Sequence, residues 1–185
     1  MEISKILKKY DTDKIWHHRY GDVYDKVFNR FDRTLPLNIL EIGTQKGGSL
    51  LAWKEYFPNA NVIGLDIVDV VPEKYRLDTV TRIISDVKDW KTDLNFDIVI
   101  DDGSHYIVDV AYVISQYCTK IKSGGVLIIE DVRNPSLLLD VISDLLTEYK
   151  LGFPNYSGND SFKISHFDNR IKGAEQSYII LMIKD

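Results

Sequence analysis

Two acidic pairs and one histidine are the residues of this 185-residue chain best placed to do chemistry. Asp101 and Asp102 follow an apolar run, Phe96 to Ile100, and His105 comes three residues after Asp102 in the segment IDDGSH. Glu130 and Asp131 close a second apolar run, Val126 to Ile129. If the two runs are neighbouring strands, Asp102, Glu130 and Asp131 converge in one small volume. Clustered carboxylates repel one another unless a cation neutralises them. A hard divalent ion, Mg²⁺ by preference, suits an all-oxygen set. A histidine with a near-neutral pKa at the mouth of that cluster is a competent general base toward a hydroxyl. The plainer alternative is that Asp102 caps the next helix, Glu130 and Asp131 sit in a solvated loop, and His105 merely starts the helix.

A second constellation lies in the stretch Leu37 to Ile67, LNILEIGTQKGGSLLAWKEYFPNANVIGLDI. An apolar, β-prone run from Asn38 to Ile42 leads into Gly43, Gly47 and Gly48, where the backbone can turn sharply and approach a ligand closely. Ser49 to Phe57 has helical character, and Pro58-Asn59 ends it. A further apolar strand, Asn61 to Leu65, ends at Asp66, a carboxylate well placed for both hydroxyls of a ribose. Dinucleotide sites use Gly-x-Gly-x-x-Gly so that a pyrophosphate can sit against the helix start. Here Gln45 stands where the second glycine would be, and Glu41 lies two before Gly43. The resulting Glu-x-Gly-x-x-x-Gly resembles the first motif of class I S-adenosylmethionine-dependent methyltransferases. A plain strand–helix–strand unit with no ligand remains the alternative.

The remaining chain supplies elements to hold these residues. Glu2 to Lys9 and Gly21 to Phe31 read as helices, the second with Tyr24, Val27, Phe28 and Phe31 on one face; Asp11 to Trp16 reads as a polar break. After Asp66 comes a loop, Val68 to Leu77, and a third strand, Thr79 to Ile84, ended by Ser85-Asp86. Tyr106 to Lys120 reads as a helix with Ile107, Ala111, Ile114 and Cys118 on one side, and Gly124-Gly125 precedes the fifth strand. Pro135 opens a helix to Lys150 with Leu138, Val141, Ile142, Leu145 and Leu146 as its buried stripe. Phe162 to Phe167 and Ser177 to Ile183 are two more strand-like runs. Alternating strands and helices predict an α/β, Rossmann-like, doubly wound and mostly parallel sheet of seven strands, with helices on both faces and a C-terminal antiparallel hairpin.

Composition narrows the function classes. The chain is 44% hydrophobic and 28% charged, so it can bury an ordinary globular core. A net charge of −5 without a basic run argues against nucleic acid as a partner. Cys118 is the single cysteine, which excludes an internal disulfide and a cysteine-clustered zinc site, and it reads as a buried inert thiol. No run is long enough to span a membrane and Met1 to Lys9 has no signal-peptide core, so the expectation is a cytoplasmic protein with no membrane partner.

Taken together, DTDK-IWHHRY, LEIGTQKGGSLLAW, VIGLDI, DIVIDDGSH and GGVLIIEDV resemble the metal-dependent sugar O-methyltransferases of macrolide antibiotic pathways, the mycinamicin type. They also resemble rhamnosyl and cephalosporin hydroxylase-like methyltransferases. The resemblance covers about Asp11 to Val132. It implies Mg²⁺ on Asp102, Glu130 and Asp131, with His105 as catalytic base. It implies S-adenosylmethionine held by Glu41, Gly43, Thr44, Gly47, Asp66, Ile67, Asp86, Val87 and Asp101, with Asp66 on the ribose and Asp86 on the adenine amino group. Residues 1–34 then form a helical arm or lid, with His17 and His18 as lid candidates, and 35–185 the cofactor-binding domain. The acceptor would be a small molecule, a sugar hydroxyl by resemblance alone. The macrolide enzymes carry an N-terminal auxiliary domain that this sequence does not show, which leaves the acceptor and any homo-oligomer undefined and makes a more open site the expectation. Two rival readings are a non-catalytic cofactor-binding module or accessory subunit, and a nicotinamide-dependent oxidoreductase, which the glycine spacing disfavours.

Overall fold

The computed structural model describes residues 1–152, 161–170 and 177–185. Three short helices come first: α1 (Ile3–Leu7), α2 (Asp13–Trp16) and α3 (Gly21–Phe28). They are followed by β1 (Asn38–Ile42), α4 (Gly48–Tyr56), β2 (Asn61–Asp66), β3 (Val80–Ile84), β4 (Phe96–Asp101), α5 (Ile107–Tyr117), β5 (Ile121–Ile129), α6 (Pro135–Gly152), β6 (Phe162–Asp168) and β7 (Tyr178–Lys184). The strands form one sheet in the order β3-β2-β1-β4-β5-β7-β6. The first five run parallel, and β7 pairs antiparallel with both β5 and β6.

Strand alternation sorts the core into two layers, because successive side chains leave opposite faces. Ile39, Ile98, Ile100, Val126 and Ile128 pack against α1, α3 and α4. Leu40, Ile42, Val99, Leu127 and Ile129 pack against α5 and α6. Order reverses between β1 and β4, and a crevice opens beyond the carboxyl ends of the strands at such a point. The glycine turn and both acidic pairs lie there.

Three details differ from the sequence reading. The expected polar break hides α2, whose Lys14 is buried. The Gly124-Gly125 pair lies inside β5 at a register irregularity opposite β4, where Gly124 has φ +76°, so the strand begins at Ile121. The buried face of α5 is centred on Val110, Val113, Ile114 and Tyr117, one position around the helix from the expected stripe. In the arm of residues 1–34, Ile3, Ile6, Leu7, Val23, Tyr24, Val27 and Phe28 share one cluster with the sheet. Among the described residues, no helix is long and apolar enough to cross a membrane.

Candidate active site

The glycine turn is held open by what packs against it. Gly43 has φ +80°, and a Cβ there would lie 2.1 Å from the Asp102 carbonyl oxygen, so the loops after β1 and β4 meet backbone to backbone. Gly48 meets the arm in the same way, with a Cβ position 2.4 Å from the Asp11 carbonyl oxygen. The Asp66 carboxylate accepts from the amides of Thr44 and Gln45, each at 2.8 Å, and from Val68 at 3.1 Å. It therefore fixes the turn to the end of β2.

A cavity of about 540 Å³ lies over this turn. Of the expected cofactor residues, Gly43, Thr44, Gly47, Asp66, Ile67, Asp86, Val87 and Asp101 line it, and so do Asp102, His105 and Asp131. Asp101 is buried; its Oδ1 accepts from the Gly103 amide at 3.3 Å while its Oδ2 has no hydrogen-bond partner. Burial pushes this carboxyl up to about 7.

Glu41 requires a correction. It shares the face of β1 that carries Ile39, so its carboxylate points under α4, where Ser49 Oγ and Trp53 Nε1 donate to it at 2.8 Å. It is fully buried and does not line the cavity. Its place is in the framework beneath the turn.

The expected metal residues Asp102, Glu130 and Asp131 lie at the ends of β4 and β5, which pair. Asp102, His105 and Asp131 each offer one ligand atom, all within 4.8 Å of one another. Glu130 instead accepts from Lys14 Nζ at 2.8 Å and from the Tyr24 hydroxyl. Lys14 also donates to Asp102 Oδ2 at 2.6 Å and stands 3.3 Å from Glu41 Oε1. Burial alone would discharge this lysine, but Asp102 and Glu130 outweigh it and hold the ammonium charged, well above its usual pKa. Three acids around one ammonium leave an excess of negative charge beside an open cavity. Two carboxylates and an imidazole on that cavity fit a divalent cation.

Asp131 is the most constrained member of the site. The Tyr20 hydroxyl donates to its Oδ1 at 2.6 Å, and His18 Nδ1 lies 3.1 Å from the same oxygen and 3.0 Å from Ser177 Oγ. Asp131 (φ +51°) and His105 (φ +59°) are both left-handed, a conformation that non-glycine residues hold only where the surroundings impose it. His105 Nε2 lies 3.9 Å from Asp131 Oδ2. Burial lowers the pKa of His105 and outweighs the attraction of Asp131, so the imidazole is neutral, and able to accept a proton, near pH 7. Of the two arm histidines proposed for a lid, His18 is buried against Asp131, while His17 is exposed.

Lys14, Tyr20 and Tyr24 escaped the sequence reading as site residues, and His18 entered it only as a lid candidate. The available signal was the acid surplus itself, which demands a cation that the chain can supply as well as a metal can.

Sheet order, glycine turn and crevice together define the class I methyltransferase fold. The same fold is seen in MycE, a methyltransferase of the mycinamycin biosynthetic pathway solved in complex with Mg and SAH. The TM-score is 0.73 at 24% identity, covering 100% of this chain and 55% of that one. No protein-family model matches the chain. Its curated relatives are sugar O-methyltransferases. It is 32% identical over 145 residues to 8-demethyl-8-alpha-L-rhamnosyl tetracenomycin-C 2'-O-methyltransferase of Streptomyces olivaceus, matching 71% of this chain and 38% of that enzyme. It is 31% identical over 144 residues to mycinamicin VI 2''-O-methyltransferase of Micromonospora griseorubida, matching 71% of this chain and 36% of that enzyme. The matched region thus spans well under half the length of these relatives.

Proposed function

We propose that the protein transfers a methyl group from S-adenosylmethionine to a hydroxyl of a sugar or glycosylated small molecule, assisted by Mg²⁺. The observation that carries this reading is the cavity that joins the glycine turn and Asp66 to Asp102, His105 and Asp131 in one volume. Relatives named for sugar O-methylation, and MycE solved with Mg and SAH, support it.

In this reading Gly43 and Gly47 flank the methionine part of the donor. Asp66 and Asp86 face its ribose and adenine. The unpartnered Oδ2 of Asp101 would accept from a cationic amino group. Asp102 and Asp131 would hold the metal, Glu130 supports them from below through Lys14, and His105 beside them stays free to act as base. A divalent cation held there would lower the pKa of an acceptor hydroxyl. His105 takes the hydroxyl proton as the acceptor oxygen bonds to the methyl carbon and the carbon–sulfur bond breaks. Holding donor and acceptor in line supplies much of the rate.

His105 and Asp131 also border a second cavity of about 180 Å³, between the starts of α5 and α6, with Tyr106, Val110, Leu137 and Leu138 in its wall. We assign the acceptor to that side. Residues 11–14 line the donor cavity from the arm and would close over it when donor binds.

The test is calorimetry with S-adenosylhomocysteine and with NAD. Binding of the first alone is expected, weakened at least about tenfold in Asp66→Ala through lost charge-assisted hydrogen bonds. Preference for NAD would overturn the reading.

A further inference from the structure

Lys14 occupies a position that no catalytic step above requires. It comes from a four-residue helix in the arm, is 1% exposed, and inserts its ammonium among acids from the ends of three strands: Glu41 of β1, Asp102 after β4 and Glu130 after β5. Two of these acids do not line the cavity. The third, Asp102, belongs both to the lysine cluster and to the Asp102–His105–Asp131 triplet. One carboxylate is thus shared between a fixed cation and the place where a mobile one would sit.

We propose that Lys14 is a positioning residue that sets the divalent-cation affinity of the triplet, by acting as a resident counter-charge on Asp102. This rests on the metal-assisted reading above. The ammonium lies within hydrogen-bonding distance of one Asp102 oxygen, so a divalent ion on Asp102 is repelled by a full positive charge a few ångströms away. The same ammonium keeps Asp102 and Glu130 together when no metal is bound, since without it their charges would drive them apart. Lys14 therefore trades metal affinity for a site that stays assembled while empty. It also ties the arm to the metal: whatever shifts α2 changes the charge on the triplet.

The experiment measures Mn²⁺ binding by electron paramagnetic resonance, and the rise in melting temperature with added Mn²⁺, in wild type and Lys14→Met. The variant should melt lower without metal and bind Mn²⁺ at least about tenfold more tightly, because a nearby like charge has been removed from a poorly screened site. Its melting temperature should therefore rise more steeply with Mn²⁺ than that of wild type. If Lys14→Met does not fold, Lys14→Met with Glu41→Gln removes one cation and one anion from the same cluster, and Mn²⁺ affinity above wild type is again expected. A lysine that only props up the fold would lower the melting temperature and leave Mn²⁺ affinity unchanged. That result, or weaker binding, overturns the proposal. Calorimetry with S-adenosylhomocysteine keeps the two readings apart. If the product binds and Mn²⁺ affinity does not move, only the role of Lys14 falls; if no product binds, the methyltransferase reading falls with it.

Discussion

The Tyr20 hydroxyl donates to Asp131 Oδ1 at 2.6 Å and accepts from the Asp131 amide at 3.3 Å, across 111 positions of sequence. One phenol thus satisfies both the side chain and the backbone of a residue held at φ +51°. Tyr20→Phe keeps the ring and removes both bonds. Leaving a buried carboxylate and amide short of a partner costs about 1–3 kcal/mol. Urea unfolding should show a loss of that size with the slope unchanged. A midpoint equal to wild type would mean that His18 and Ser177 hold Asp131 unaided.

Gly43→Ala should damage both loops at once. The added methyl would meet the Asp102 carbonyl at 2.1 Å, and alanine is strained at φ +80°. The loop after β4 must then move, and Asp102 with it. Product-cofactor affinity and Mn²⁺ affinity should fall together, where most single changes would touch one. Calorimetry on the variant checks this, and an unchanged affinity for both would show that the two loops are not in register as described.

Replacing His105 with alanine removes the proposed base while Asp102 and Asp131 keep their carboxylates. A positioned general base contributes about 10²–10⁴ in rate. The loss should shrink at high pH, where more acceptor ionises unaided. Turnover assayed on phenyl and methyl rhamnosides with Mg²⁺ is the measurement. A pH-independent deficit would point to a role in placing ligands.

Cys118 gives a pH prediction remote from the site. Burial pushes its thiol up to about 12. The folded-state pKa is raised, so the neutral thiol favours folding at all pH values below 9 and that contribution fades as pH climbs toward 12. Iodoacetamide should leave the native protein unmodified at pH 8 and label it promptly in urea. Rapid native labelling would place the thiol on an accessible surface.

Much of this arrangement was legible in the sequence because it depends on local pattern. The strand Asn38–Ile42 has the bounds that its residues suggest, and the acids at the ends of β4 and β5 converge because those strands pair. Glu41 was read as a cofactor residue; its alternation with Leu40 and Ile42 sets it on the face of Ile39, and that α4 covers this face is settled only by the packing. Lys14 was not readable in the same way. A lysine in a polar segment is an ordinary surface residue until three distant acids surround it, and their convergence is a property of the folded sheet. The same holds for Glu130, whose side chain turns from the cavity because Lys14 and Tyr24 meet it first. His18 reads either as part of a lid or as a surface residue beside His17, and its burial against Asp131, Tyr20 and Ser177 comes from residues far along the chain or folded onto it.

The reach of Lys14 bears on the order in which the molecule assembles. Its two shortest bonds to acids span 88 and 116 positions. The bond to Asp102 must wait for β4 and the bond to Glu130 for β5, so during translation Glu41 is the one acid of the cluster already made when the arm folds. Closing such long loops is slow, and the contacts they reward come late in folding. The hydrophobic side chains of α1 and α3 can collapse early onto β1 and α4, but α2 must wait. The acid cluster is in this sense a checkpoint: the interior of the site becomes electrically balanced only when the last parallel strand is in place.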